Sequence, residues 1–150
     1  MNTALFILRA QPLHKGHVHA IKHLMKKYKV IVALGSINKK DSKNPFSYAA
    51  RKKMLGSVFK NIRIIGVKDI SSDKEWKASV ENKAKFDVVV TGNQWVRKCF
   101  RGYRTEKPVF LNLEEYDASE IRKLMKKGKK WEYLVPRSVA DIIKAEVMNS

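Results

Sequence analysis

The residues best suited to chemistry lie in one short segment, Arg9-Ala10-Gln11-Pro12-Leu13-His14-Lys15-Gly16-His17. The segment lies between an apolar run typical of a buried strand and a stretch whose apolar residues have helical spacing. A helix that begins there presents free backbone N–H groups and the positive end of its dipole to an anion. His14 and His17 add directional hydrogen-bond donors, and Arg9 and Lys15 add fixed positive charge. The pattern predicts a phosphate-binding site in which Gly16 allows close approach of the backbone.

The histidines also permit other interpretations. His14, His17, His19 and His23 include pairs with metal-compatible spacing, so a zinc site or ordinary surface histidines are alternatives. We favour phosphate binding for His14 and His17, because the segment contains no cysteine and no acidic residue and its basic side chains would repel a cation. No metal site formed by protein side chains is predicted, and His19 and His23 receive no direct role.

The elements that position this segment follow from the alternation of strand and helix patterns. Apolar runs rich in β-branched residues recur between amphipathic helical patterns, as in a parallel sheet built from βαβ units. Helices are predicted after Ser47 as N-cap, near Ser72, over 95–100, over 119–127, and from Pro136 with Val147 among the inward residues. The sequence predicts an α/β fold, a doubly wound sheet with a small C-terminal helical piece. The predicted strands are 4–8, 30–34, 62–67, 88–91 and 109–113.

Length and cysteine content limit the class of protein. With 150 residues, of which 44% are apolar, a single domain over 1–150 is predicted. The single cysteine, Cys99, excludes an internal disulfide framework and favours a reducing, cytoplasmic setting. No apolar run approaches the roughly 20 residues of a membrane span, so neither membrane insertion nor secretion is predicted.

The charge is unusual for a domain of this size. Lys and Arg total 32 against 14 Asp and Glu, which gives a formal net charge of +18. Such a surface attracts polyanions and phosphate-bearing ligands. Only 8 of the 32 basic residues are Arg, and the lysines are scattered along helices without interleaved aromatic residues. Nucleic-acid binding is therefore an alternative but is not favoured.

The stretch from His14 to His17 resembles the HxGH signature of the nucleotidyltransferase superfamily, which class I aminoacyl-tRNA synthetases share. Nearly the whole chain is similar, in the same order of segments, to the archaeal-type nicotinamide mononucleotide adenylyltransferases. The segments are Arg9 with Gln11-Pro12, Leu34-Gly35-Ser36, Asn44-Pro45-Phe46-Ser47 before Arg51, Asp69-Ile70 before Trp76, Phe86-Asp87, Thr91-Gly92-Asn93 with Val96-Arg97, Tyr116 before Ser119-Glu120-Ile121-Arg122, and Trp131 before Leu134-Val135-Pro136.

The resemblance implies a Rossmann-like fold and an enzyme that transfers the adenylyl group of ATP to the phosphate of nicotinamide mononucleotide, giving NAD and pyrophosphate. Such a transfer needs no nucleophile from the protein, and Mg²⁺ carried with ATP would neutralise charge on its phosphates. The resemblance further implies a homo-oligomer. The implied catalytic residues are His14, His17 and Arg122. The implied ATP and phosphate contacts are Arg9, Ala10, Gln11, Lys15, Gly16, Asn93, Arg97 and Ser119. The implied acceptor contacts are Gly35, Ser36, Arg51 and Trp76.

Some of these residues have a purely structural alternative, and four positions depart from the family pattern. A tryptophan in an amphipathic helix, such as Trp76, is often a core anchor. Ser119 and Glu120 are alternatively a pair that merely caps the backbone at a helix start. The four departures are Leu8, Ala10, Ala50 and Ala118. They leave open another phosphorylated acceptor: flavin mononucleotide, phosphopantetheine, or a polyol phosphate charged with CTP.

Overall fold

The computed structural model of the chain describes residues 1–110 and 116–148. Its contacts divide the chain into two compact units, each made of three separate segments. The first unit comprises Met1–Arg9, Ile21–Lys39 and Ile62–Val109, and the second comprises Ala10–Ala20, Lys40–Asn61 and Phe110–Ser150. The single domain expected over 1–150 stays a prediction.

The first unit contains a parallel five-stranded sheet in the order β3-β2-β1-β4-β5. Because β1 pairs with both β2 and β4, the winding of the sheet reverses at β1, and ligands of such sheets bind at the carboxyl ends beside that point. The predicted Rossmann-like fold is confirmed. The strands are β1 (Thr3–Leu8), β2 (Lys29–Leu34), β3 (Arg63–Gly66), β4 (Val88–Val90) and β5 (Arg104–Glu106).

The fifth strand does not lie where its apolar pattern was expected. The prediction was 109–113, but β5 is Arg104–Glu106, Val109 and Phe110 belong to no strand, and 111–113 lie outside the described residues. β5 is an edge strand whose Glu106 side chain accepts hydrogen bonds from the Tyr28 hydroxyl and the Lys27 ammonium group. A half-solvated edge strand needs no run of apolar residues, so the pattern of buried strands could not locate it.

One face of the sheet carries the apolar core of the first unit. Helices α3 (Asp73–Lys83) and α4 (Gln94–Cys99) supply Trp76 and Val96 to this core, together with Phe100, which follows α4. The Ser72 side chain accepts a hydrogen bond from the Glu75 N–H group, which confirms the predicted start of α3. The sheet contributes Leu5, Ile31, Ala33, Ile65 and Val89.

The second unit is helical. It contains the start of α1 (Lys15–Met25), α2 (Tyr48–Val58), α5 (Ala118–Lys126), a short 3-10 helix (Glu132–Leu134) and α6 (Arg137–Met148). The Ser47 side chain accepts from the Ala50 N–H group, as predicted, and α5 ends before Gly128, whose φ of 67° favours glycine. Among the described residues, no helix combines the length and apolar character that crossing a bilayer requires.

The apolar face of α6 was predicted correctly for its first turns only. Val139 and Ile143 are buried, but Val147 is 66% exposed, contrary to the prediction that it points inward. Helical periodicity identifies the side of a helix that is apolar. It does not tell how far along that side the neighbouring segments extend.

Candidate active site

His14 and His17 form a stacked pair at the start of α1. Their ring centroids are 3.6 Å apart and their planes differ by 18°. The His14 N–H group donates to Nδ1 of His17 at 3.1 Å, and the His17 N–H group donates to Nδ1 of His14 at 3.3 Å. Each ring therefore caps a backbone donor that has no partner within the helix. A local spacing of three residues thus fixes the orientation of both rings.

These hydrogen bonds also determine which ring nitrogen carries the proton. Because Nδ1 of each histidine accepts a hydrogen bond, the proton of each neutral ring lies on Nε2. Burial lowers the pKa of His14 to about 4 against the weaker opposing effect of the Asp117 charge. Burial, and then the charge of His14, hold the pKa of His17 well below its ordinary value. At neutral pH the pair consists of two uncharged Nε2–H donors.

The lowered pKa of His14 predicts a pH dependence of stability. The folded chain keeps this ring neutral down to about pH 4, whereas the unfolded chain protonates it near 6.5. The stabilisation is complete above the unfolded value and is lost as the pH falls from there towards 4. Between about pH 7 and about pH 5, the free energy of unfolding should fall by about 2 kcal/mol more in the wild type than in His14→Asn. Urea unfolding of both proteins at each pH measures this difference, and equal changes would contradict it.

Gly16 leaves the space that the His14 ring occupies. A Cβ atom at position 16 would lie 2.8 Å from Cε1 and 3.0 Å from Nδ1 of His14, and 3.0 Å from Cβ of Tyr116. The Tyr116 ring is itself stacked with the His14 ring, and the two ring centroids are 6.4 Å apart. The predicted role of Gly16, approach of the backbone to a ligand, stays a prediction. The structure adds a steric reason for glycine at this position.

Gln11 connects the loop before α1 to two other segments of the second unit. Its side chain is buried, and its amide makes two hydrogen bonds of 2.9 Å to the backbone N–H and C=O groups of Phe46. Its own carbonyl oxygen accepts a hydrogen bond of 2.8 Å from Nη1 of Arg122. Gln11 is therefore a positioning residue for the loop before α1, and its predicted contact with phosphate stays a prediction. Long-range pairing of this kind carries no local signal in the sequence.

Replacing Gln11 should test this connection. In Gln11→Met, the N–H and C=O groups of Phe46 lose their partners in a buried place, so the free energy of unfolding should fall by about 2–4 kcal/mol. Gln94→Met, at an exposed position, is the matched control and should change it by less than about 0.5 kcal/mol. Chemical denaturation measures both variants. Similar small effects in the two variants would contradict the role of Gln11.

The start of α5 carries Ser119 and Arg122. The Asp117 carboxylate is the N-cap and accepts hydrogen bonds from the N–H group of Ser119 at 2.8 Å and from its hydroxyl at 2.7 Å. These bonds, led by that from the hydroxyl, lower the pKa of Asp117. Sequence reasoning missed Asp117 and offered Ser119 and Glu120 as the capping pair, but Glu120 instead pairs with Lys123 at 3.1 Å. An aspartate directly before a helical pattern was the signal that could have identified the cap.

Arg51 lies on α2 in the interior of the second unit. Arg51 is completely buried, and its Nε–H group donates to the carbonyl oxygen of Ser47 at 3.3 Å. A guanidinium group stays protonated in proteins, so this residue holds a positive charge inside the unit. Its predicted contact with an acceptor stays a prediction. The second unit also contains Ala10, buried with φ 52°, and the exposed Lys15.

The ends of β1 and β2 bring Arg9, Gly35 and Ser36 together in the first unit. The Gly35 N–H group donates to the carbonyl oxygen of Leu8 at 3.0 Å, and a Cβ atom at Gly35 would lie 4.0 Å from Cγ of Arg9. Ser36 has φ 56°, and its hydroxyl donates to the Asp69 carboxylate at 2.9 Å. Asp69 thus holds the segment that the resemblance assigns to the acceptor.

Trp76 occupies the core of the first unit. It is 5% exposed, and its ring centroid lies 4.6 Å from that of Trp95 and 5.7 Å from that of Phe100. Its core-anchor role is therefore evident, and its contact with an acceptor ring stays a prediction. The more accessible aromatic side chain is Trp95, which is 41% exposed and donates through Nε1 to the Asp73 carboxylate at 3.0 Å.

Asn93 begins α4, and Arg97 follows one turn later on an exposed position. The Asn93 side-chain oxygen accepts from the N–H groups of Trp95 and Val96, so it serves as the N-cap of the helix. The predicted ATP contacts of both residues stay predictions. Within the described ranges, no three His, Cys, Asp or Glu side chains come together in an arrangement that could hold a metal ion.

Known proteins are similar to this chain over most of its length. A family model described as cytidylyltransferase-like matches residues 6–139. The nicotinamide-nucleotide adenylyltransferase of Methanococcus vannielii is 38% identical over 149 residues, which cover 93% of this chain and 87% of the relative. The protein of the same name from Thermococcus onnurineus is 36% identical, with coverage of 93% and 81%.

A solved structure shows the same fold. It is that of a bifunctional NMN adenylyltransferase/ADP ribose pyrophosphatase from Francisella tularensis, complexed with AMP and Mn ion. The TM-score is 0.76 at 24% identity, and the match covers 89% of this chain. This chain spans less than half of that protein, 44% of its length.

Proposed function

We propose a reaction for this chain on the premise that it belongs to the cytidylyltransferase-like family and, within it, to the nicotinamide-nucleotide adenylyltransferases. It transfers the adenylyl group of ATP to the phosphate of nicotinamide mononucleotide and releases pyrophosphate. The observation that carries the proposal is the pair of neutral Nε2–H donors at the start of α1, in the same unit as Arg122.

The chemistry requires two polyanions held in line and no nucleophile from the protein. A phosphate oxygen of the mononucleotide attacks the α-phosphorus of ATP, and the bond from that phosphorus to the pyrophosphate oxygen breaks. Negative charge then grows on the leaving pyrophosphate. Uncharged Nε2–H groups of His14 and His17 would donate to this charge without transferring a proton.

Fixed positive charge complements these donors. Arg9, Lys15, Arg97 and Arg122 are the proposed positively charged contacts of ATP and its phosphates, and Asn93 is a proposed uncharged contact. ATP would enter as its Mg²⁺ complex, so the ion forms part of the substrate and supplies charge neutralisation on the phosphates. The Mn ion in the Francisella structure supports the use of a divalent ion.

The acceptor contacts remain those implied by the resemblance. The buried Arg51 guanidinium is the proposed partner of an acceptor phosphate, with Gly35, Ser36 and Trp76 as further contacts. The names of the curated relatives support nicotinamide mononucleotide as the acceptor. Flavin mononucleotide, phosphopantetheine, and a polyol phosphate with CTP are the alternatives.

Pyrophosphate release with Mg-ATP and this panel of acceptors tests the proposal. We expect release with nicotinamide mononucleotide, and loss of that release in His17→Ala. Release only with another acceptor would retain the reaction class and reject the acceptor. No release with any acceptor, together with steeply salt-dependent binding of nucleic acid, would reject the enzymatic proposal in favour of a nucleic-acid-binding protein.

The assembly and location of the enzyme belong to the same proposal. Family membership supports a homo-oligomer, and the lone Cys99 supports a reducing, cytoplasmic setting. Light scattering coupled to size-exclusion chromatography measures the assembly. A monomer at all concentrations would contradict it.

A further inference from the structure

A cavity of about 840 Å³ lies within the second unit, bounded by the 40–46 loop, α5 and α6. Its walls are mainly apolar and include Phe46, Met125, Trp131, Ile143 and Val147. Volumes of this size, with apolar and aromatic walls and a few polar groups, are typical of small-molecule sites. The exposed Val147, which sequence periodicity placed in the core, is part of this wall.

Charged groups of both signs also line the cavity. The positive ones are Arg122 and three lysines, and the negative ones are Glu132 and Glu146. The lysines are Lys40, Lys126 and Lys144, and none of them forms an ion pair with a carboxylate in the described part of the chain. These three lysines outnumber the two carboxylates even when Arg122 is left out of the count, so the lining has an excess of positive charge that favours an anion.

We propose that this cavity is a second ligand site, which takes a nucleoside phosphate. The apolar and aromatic wall around Trp131 and Phe46 would take the flat base. Lysine side chains would take the phosphate. Glu132 and Glu146 would accept hydrogen bonds from sugar hydroxyl or base amino groups.

The aromatic wall and the two carboxylates together favour a nucleoside phosphate over other anions. A fatty acid would fit the apolar wall and the lysines, but its chain has no hydrogen-bond donor for Glu132 or Glu146. Inorganic phosphate would leave the aromatic wall exposed to water. A nucleoside phosphate satisfies the apolar, positive and negative groups together, because it combines a flat ring, hydroxyl donors and a phosphate.

The site goes beyond the proposed reaction. Of the residues assigned to ATP or to the acceptor, only Arg122 lines the cavity, and Nη1 of Arg122 is directed to the carbonyl oxygen of Gln11. Neither His14 nor Arg51 lines it. Binding there can therefore be measured through Trp131 and the lysines, to which the proposed reaction gives no role.

The experiment uses the full chain labelled with 5-fluorotryptophan, which places one ¹⁹F label on each of the three tryptophans. Trp131→Phe identifies the resonance of Trp131. We expect AMP to shift this resonance saturably, at a concentration at least about tenfold below that at which adenosine or inorganic phosphate does so. No shift with AMP, or equal shifts with adenosine, would overturn the proposal.

A charge-reversal pair separates direct from indirect effects. Lys144→Glu should raise the half-saturating AMP concentration at least about tenfold, because it places a negative charge in the phosphate-binding part of the cavity. Lys85→Glu, an equal change on an exposed residue of the first unit, should leave it unchanged. If both variants respond alike, AMP shifts Trp131 from elsewhere and the proposal is wrong. NAD formation, measured on the same samples, tests the proposed function independently.

Discussion

His17→Asn is expected to lower kcat by about two to three orders of magnitude, with a change in KM for nicotinamide mononucleotide of less than about threefold. The asparagine oxygen can still accept the hydrogen bond that the His14 N–H group gives to Nδ1 of His17. It places no donor where the Nε2–H group of His17 lies. Steady-state rates of pyrophosphate release with both substrates varied measure the two constants.

His17→Ala is the matched comparison. It removes the donor together with the cap, so its kcat should fall equally and its free energy of unfolding by about a further 1 kcal/mol. This pair separates the chemical role of the ring from its structural one. A kcat near that of the wild type in His17→Asn, or an equal loss in acceptor binding, would show that His17 does not meet developing charge.

Gly16→Ala should reduce kcat by about a hundredfold, although it adds only one methyl group. The added methyl carbon would lie 2.8 Å from Cε1 of His14 and 3.0 Å from Cβ of Tyr116, which is closer than carbon atoms pack. We expect the His14 ring to turn away from it. Turning breaks the hydrogen bond that Nδ1 of His14 accepts from the His17 N–H group. Overpacking of this kind should also lower the free energy of unfolding by about 1–3 kcal/mol.

Gly56→Ala is the control for the added methyl group. Gly56 lies inside α2, and a Cβ atom there meets nothing within 4 Å. Because alanine is the better helix former, this variant should gain about 0.5–1 kcal/mol in stability and retain its kcat. Kinetics and urea unfolding of the two variants give the comparison. Full activity in Gly16→Ala would refute the steric role assigned to this glycine.

The features that were predicted correctly depend on short stretches of chain. The buried strands, the cap at Ser47, the start of α3 near Ser72 and the end of the helix predicted over 119–127 each have a signal within a few residues. β5 was misplaced because an edge strand lacks the apolar pattern by which buried strands are recognised. Val147 was misassigned because periodicity does not define how much of a helix face is covered.

The candidate site divides in the same way. The sequence by itself determined the histidine segment and its place after the first strand, because residue type and a spacing of three suffice to bring both rings to one helix start. Only the tertiary structure decided that Gln11 bonds Phe46, 35 residues away, and Arg122, 111 residues away. It also decided that burial keeps both histidines uncharged. The physical reason is that hydrogen bonds between distant segments, and the loss of water around a ring, depend on how those segments pack, and no local pattern encodes that packing.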